Sequence, residues 1–304
     1  MKPAAEVRRL ELLVRRRVQG PVAGGYESAH LGPGSEAEEL ARYVPGHDVR
    51  RIDWNVTARA GDPHVWHTRA EQGLETWLLL DRTPSMAFGS GTAEKGETAE
   101  RVAATWGLLA GGPGNQVGMG LLDTGGLRWV RLGSGSGAAA ALIAAPAASR
   151  TGTAGVDLAD AVAELGKRAR RPGLRVIVTD LIEPSGAAER PFAWERPLRG
   201  LSARHDVIVV EVIDPRELAL PDIGQVVFVD PETGRQREVA TSDPRIRAAY
   251  AAAAAAHRDA TEAAVRACRA DHLRVFPDDR WPNALARLLI RRRRTPARPA
   301  RRSR

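Results

Sequence analysis

The hydrophobic pattern divides the chain at about residue 74. From there on, short apolar runs rich in branched residues recur: LETWLLLD (74–81), QVGMGLLD (116–123), LRWVRL (127–132), LRVIVTD (174–180), DVIVVEVID (206–214), QVVFVD (225–230) and a last short LRVF. Each is near-continuous rather than alternating, the mark of a strand buried on both faces. Stretches of helical period separate many of them. Residues 94–110 place Ala99, Val102, Ala103, Trp106 and Leu109 on one face. Further helices are expected over 155–170, near 191–203, over 244–271 with Pro244 in the first turn, and over 282–292. Apolar strands alternating with helices predict an α/β fold, a doubly wound and mostly parallel sheet. The pair LLD-TGG-LRW reads as a hairpin and makes one edge strand antiparallel.

Before residue 74 the pattern is different. Residues 5–19 have helical spacing, residues 20–40 are a Gly/Pro-rich loop, and 41–73 mix charges with aromatics in a way that suits short strands and turns. Three parts are therefore expected: residues 1–73 as a small segment packing on the main domain, 74–292 as the main domain, and 293–304 as an Arg-rich disordered tail.

Charge sharpens this division. The net charge is +8, and residues 291–304 alone carry eight Arg and no acid, so the other 290 residues are neutral. The basicity belongs to the tail and not to the fold. That makes nucleic acid an unexpected partner and leaves peripheral contact with an anionic surface to the tail. The single cysteine, Cys268, excludes an intramolecular disulfide and is read as a buried thiol. No run of 18 apolar residues is present, and the charged N-terminus lacks a signal-peptide core. The expected location is the cytoplasm.

In an open parallel sheet, ligands bind beyond the carboxyl ends of the strands. Asp81 and Asp180 close two such strands and face one crevice if those strands are neighbours. Asp81, Thr83 and Ser85 follow at alternate positions. A carboxylate with two hydroxyls is a hard oxygen set suited to Mg²⁺ or Ca²⁺, and Asp180 can join it. A phosphoaspartate site or a simple polar strand end would use the same spacing. The phosphoaspartate reading lacks the second acid it needs, because Thr83 stands there. Asp123-Thr124-Gly125 imitates an aspartic-protease triplet, but no second copy exists and its place calls for a turn. GSGSGA (133–138) lacks both dinucleotide spacing and a P-loop lysine. No nucleophile with a matching base is found.

The segment RYVPGHDVRRIDWNVTARAGDPHV, then Glu71, then WLLLDRTPSMAFG, resembles the bacterial domain of unknown function 58 family. Tyr43, Pro45, Gly46, Asp48, Arg50, Arg51, Ile52, Asp53, Trp54, Ala58 and Arg59 follow its pattern in order; His47 departs from it. The resemblance implies a von Willebrand factor type A-like domain with a metal-ion-dependent adhesion site. On this chain that assigns Asp81, Thr83, Ser85 and Asp180 as metal residues. The remaining hydroxyl position falls in AGVDL, where Val156 stands for the family's Thr, unless Thr151 or Thr153 replaces it. A divalent cation such as Mg²⁺ is thus the implied cofactor, with Val156 counting against it.

The resemblance further implies a non-enzymatic protein-interaction module, an adaptor or chaperone-type assembly factor working with a MoxR-type AAA+ ATPase. A metal-dependent hydrolase using Asp81 and Asp180, or weak nucleic-acid binding through the tail, is the alternative. RRIDW is read as structural, with Arg51 paired to Asp53 and Trp54 plugging the main domain. A recognition surface is its other reading.

Overall fold

A computed structural model of the chain describes residues 38–294, except 44–48, 50–51, 69–74, 92, 111–114, 132, 134–136, 138–139, 142–155, 184, 231–233 and 279. The helix expected over residues 5–19 and the end of the Arg tail lie outside the described residues, as do Thr151, Thr153 and Arg51.

The main body is one six-stranded sheet. Its strands are β3 (Glu75–Asp81), β4 (Gln116–Asp123), β5 (Gly126–Arg131), β6 (Leu174–Thr179), β7 (Asp206–Val212) and β10 (Asp271–Val275). Their order is β10-β7-β6-β3-β4-β5, with every pairing parallel except β4 to β5. The doubly wound, mostly parallel sheet with one antiparallel edge strand is therefore what the chain forms. The hairpin turns on Gly126, at φ 100°, and Asp123 accepts the Gly125 N–H at 2.9 Å. The Asp-Thr-Gly triplet is thus a turn.

Alternation along the strands sends side chains to two apolar layers. Leu78, Leu80, Val176, Val178, Ile208 and Val210 point toward Val102 and Trp106 of α2 (Lys95–Ala110) and Leu285 and Leu288 of α6 (Trp281–Arg294). Leu79, Ile177, Val207 and Val209 point the other way. They meet Val162 and Leu165 of α3 (Leu158–Arg168), Leu198 of α4 (Glu195–Ser202) and Val265 of α5 (Pro244–Ala267). Removing a buried leucine from either layer costs about 2–5 kcal/mol. Cys268 is buried here, as expected, and its thiol donates to the Glu195 carbonyl at 3.2 Å. Helix α6 runs on to Arg294, past the expected end at 292, and Arg292 pairs with Asp206 and Asp271.

Two small ribbons stand apart from this sheet. In the first, β1 (Glu38–Arg42) and β2 (His64–Thr68) pair antiparallel around α1 (Trp54–Ala60). Asp53 caps α1, accepting from the Asn55 and Val56 N–H groups at 2.9 and 3.1 Å. Ile52 bridges to Val65. Trp54 does not plug anything: it is 71% exposed. This corrects the Trp54 part of the structural reading of RRIDW, because the Asp53 cap turns Trp54 outward at the start of a helix; the Arg51–Asp53 pairing lies outside the described residues. The second ribbon, β8 (Gln225–Val229) with β9 (Gln236–Ala240), exposes Val227, Phe228 and Val229.

Candidate functional site

Strands β3 and β6 are neighbours, with Leu80 opposite Val178. Both then run out at the same end of the sheet, and Asp81 and Asp180 meet there as the apolar pattern predicts. Beyond β3 the chain turns through one 3-10 turn, Pro84–Ala87, which folds Thr83 and Ser85 back toward Asp81. The Thr83 N–H and hydroxyl donate to Asp81 Oδ1 at 2.9 and 2.6 Å. The Thr83 and Ser85 hydroxyl oxygens lie 3.2 Å apart. Thr179 donates to Asp81 Oδ2 at 2.7 Å. Both carboxylate oxygens of Asp81 are therefore held.

Asp81 is 4% exposed and Asp180 1%. Burial, then the charge of Asp180, raise the Asp81 pKa to about 6, against the pull of the Thr83 and Thr179 hydrogen bonds. Asp180 is held differently. Its Oδ1 accepts the Ile182 N–H at 3.1 Å, and its Oδ2 accepts from the Lys95 ammonium at 2.8 Å.

Lys95 is the first residue of α2 and is fully buried. Its Nζ also donates to Glu217 Oε1 at 2.5 Å. Burial alone would lower the Lys95 pKa, but Asp180 and Glu217 overcome this and raise it. Glu217 closes a single 3-10 turn, Pro215–Glu217, beyond β7. Its other oxygen accepts the Asp214 N–H at 2.9 Å. Asp214 in turn accepts from the Ser90 N–H at 2.8 Å, from the Ser90 hydroxyl, and from the Arg216 N–H at 2.8 Å. The loop carrying Thr83 and Ser85 is thereby tied to the ends of β6 and β7.

The four residues read from the sequence, Asp81, Thr83, Ser85 and Asp180, thus come together. The sequence pattern does not single out Lys95, Thr179, Asp214, Glu217 or Ser90. Thr179 precedes Asp180 in VIVTD, and Asp214 ends an apolar run just as Asp81 does, so both had a signal. Lys95 had none, since the face of α2 was read by its apolar positions alone.

As built, this donor set does not fit a divalent cation. The Asp180 carboxylate is already neutralised by an ammonium of the chain. Val156 packs into the apolar layer, with its Cγ2 against Gly126 at the hairpin turn. No described helix is long and apolar enough to cross a membrane.

Residues 39–260 match the family described as Protein of unknown function DUF58. The chain is similar to Uncharacterized protein Rv1480 of Mycobacterium tuberculosis H37Rv, 39% identical over 295 residues that make up 96% of this chain and 90% of that one. Identity and coverage are the same for Uncharacterized protein Mb1516 of Mycobacterium bovis. Among solved structures, the conserved hypothetical protein BatB from Bacteroides thetaiotaomicron gives a TM-score of 0.45 at 15% identity, covering 73% of this chain and 100% of that one. A von Willebrand factor type A protein from Catenulispora acidiphila gives 0.34 at 12% identity, covering 76% of this chain and 43% of that one.

Proposed function

Since the chain belongs to the DUF58 family, we propose that it is a non-enzymatic protein-interaction module, an adaptor or chaperone-type assembly factor that docks a MoxR-type AAA+ ATPase over the Asp81–Ser85 crevice. One observation carries this reading. The acids of the crevice are held by donors of the chain itself, while the loops that carry them present apolar side chains to solvent. Phe88, just past the Ser85 turn, is 41% exposed, and Ile182, just past Asp180, is 38% exposed. Here both Asp81 oxygens already accept from Thr83 and Thr179. A polar floor rimmed by exposed apolar residues suits a protein partner.

The ATPase would be a separate chain, because these 304 residues hold no Walker motif. The test is binding of the purified chain to a MoxR-type ATPase of the same organism, alongside the variants Phe88→Asp and Ile182→Asp. These place charge on the rim and leave the buried acids alone. Saturable binding that weakens about tenfold or more with either variant supports the reading. Binding that ignores both variants moves the interface elsewhere, and no binding removes this partner. Turnover of phosphatase, phosphodiesterase or peptidase substrates with Mg²⁺ or Mn²⁺, lost in Asp81→Ala, would replace the reading with the hydrolase.

A further inference from the structure

Lysine is an unfavoured residue at the first position of a helix, where the backbone dipole is positive and disfavours cations. Full burial adds a desolvation cost of several kcal/mol for an ion without partners. Lys95 bears both. Its partners are built to match it: Asp180 and Glu217 each give one oxygen to the ammonium and hold the other on a backbone N–H, of Ile182 and of Asp214. The two acids are therefore aimed at Nζ by the chain. Asp81, the third acid, is close enough for the Asp180 charge to act on it, and among the described residues no cation is bonded to it.

From this we infer that the Lys95 ammonium is the resident cation of the crevice. It pairs with Asp180 and Glu217 and offsets one of their two charges, where a divalent ion would otherwise sit, and the site engages its partner without a metal. A tethered ammonium competes at a high effective concentration that a free ion cannot match. A divalent ion would have to displace it and still find six or so oxygens, from a set in which Val156 offers none. The metal-free docking clause rests on the protein-interaction reading; the identity of the cation does not.

The experiment is calorimetric titration of the full chain with MgCl₂ and with MnCl₂, on wild type and on Lys95→Met, with thermal unfolding in EDTA beside it. The wild type is expected to give no saturable heat and an unfolding temperature indifferent to EDTA. Lys95→Met leaves the acids without their cation. It is expected to bind Mn²⁺ more tightly than wild type by about tenfold or more, because affinity follows the charge count of the ligands, and to unfold at a higher temperature with Mn²⁺ present. Saturable Mg²⁺ or Mn²⁺ binding to wild type that Asp81→Asn abolishes overturns the inference, and does so even if Lys95→Met fails to fold. A folded Lys95→Met with no gain in affinity overturns it too. Partner binding that survives EDTA supports the docking clause, and binding lost in EDTA overturns it. No partner binding in either buffer sinks the interaction reading, while the titration still decides which cation the site holds.

Discussion

Glu211 and Asp180 stand almost side by side. Glu211 lies opposite Thr179 in the β6–β7 register, and Arg258 donates both to Glu211, at 2.6 Å, and to the Asp180 carbonyl, at 3.2 Å. Each acid anchors a buried ionic cluster, but the charge balance is reversed. Around Glu211 one carboxylate collects Arg258, Arg274 at 2.9 Å and His272 at 2.9 Å. Around Lys95 one ammonium faces Asp180 and Glu217, with Asp81 beside them. Burial would raise Glu211, yet the close approach of His272 and the charge and hydrogen bond of Arg258 bring its pKa down to about 2. Burial and Asp180 instead take Asp81 up to about 6. A cluster whose acid is oversupplied with donors is closed and serves the fold. A cluster left with surplus acid is strained by its own charge, as a site held ready for something else is.

The sharpest way to break this comparison is Glu211→Leu. It strands Arg258 and Arg274, and the expected loss is about 3–5 kcal/mol near neutral pH by urea denaturation. Because the folded Glu211 pKa lies below its ordinary 4.5, its contribution is present above 4.5 and fades as pH falls toward about 2. The gap between variant and wild type should close in that window.

Asp81→Asn should act with the opposite sign. The folded pKa of Asp81 is raised from 3.8 to about 6. Its stabilising effect is complete below 3.8 and is lost as pH rises through about 6. The variant is therefore expected to be more stable than wild type by about 2 kcal/mol near neutral pH, and no more stable in acid below 3.8. A loss of stability at neutral pH would place Asp81 with the closed clusters. Ser90→Ala tests the clasp between the two loops. It removes a hydroxyl donor from Asp214 and should cost about 1 kcal/mol in the same assay. Trp54→Ser should change stability by less than about 0.5 kcal/mol, since the ring is 71% exposed. A larger loss would restore it as a packing residue.

The sequence made the sheet legible because burial on both faces leaves unbroken apolar runs, and Asp81 and Asp180 legible because each ends such a run; QVVFVD misleads by the same rule, since that run lies outside the sheet in the exposed β8–β9 ribbon. Three features were illegible for physical reasons. Strand β9 reads QREVA, and its solvent-facing side chains leave no periodic signal. Helix α1 reads WNVTARA, whose Trp, Val and Thr suit a strand as well as a helix, and Asp53 capping decides the matter. Lys95 was passed over because a charged residue in a helical stretch is expected to face water. Its burial depends on Asp180 and Glu217, which local pattern cannot bring to it.

Those same contacts bear on how the molecule matures. Lys95 meets Asp180 and Glu217 across 85 and 122 positions of sequence, and Ser90 meets Asp214 across 124. Contacts of such long range carry a loop-closure cost that the rest of the fold has to offset. The crevice therefore exists only in molecules whose β3, β6 and β7 have already been laid side by side. On the protein-interaction reading proposed above, a partner docking there would meet completed molecules only.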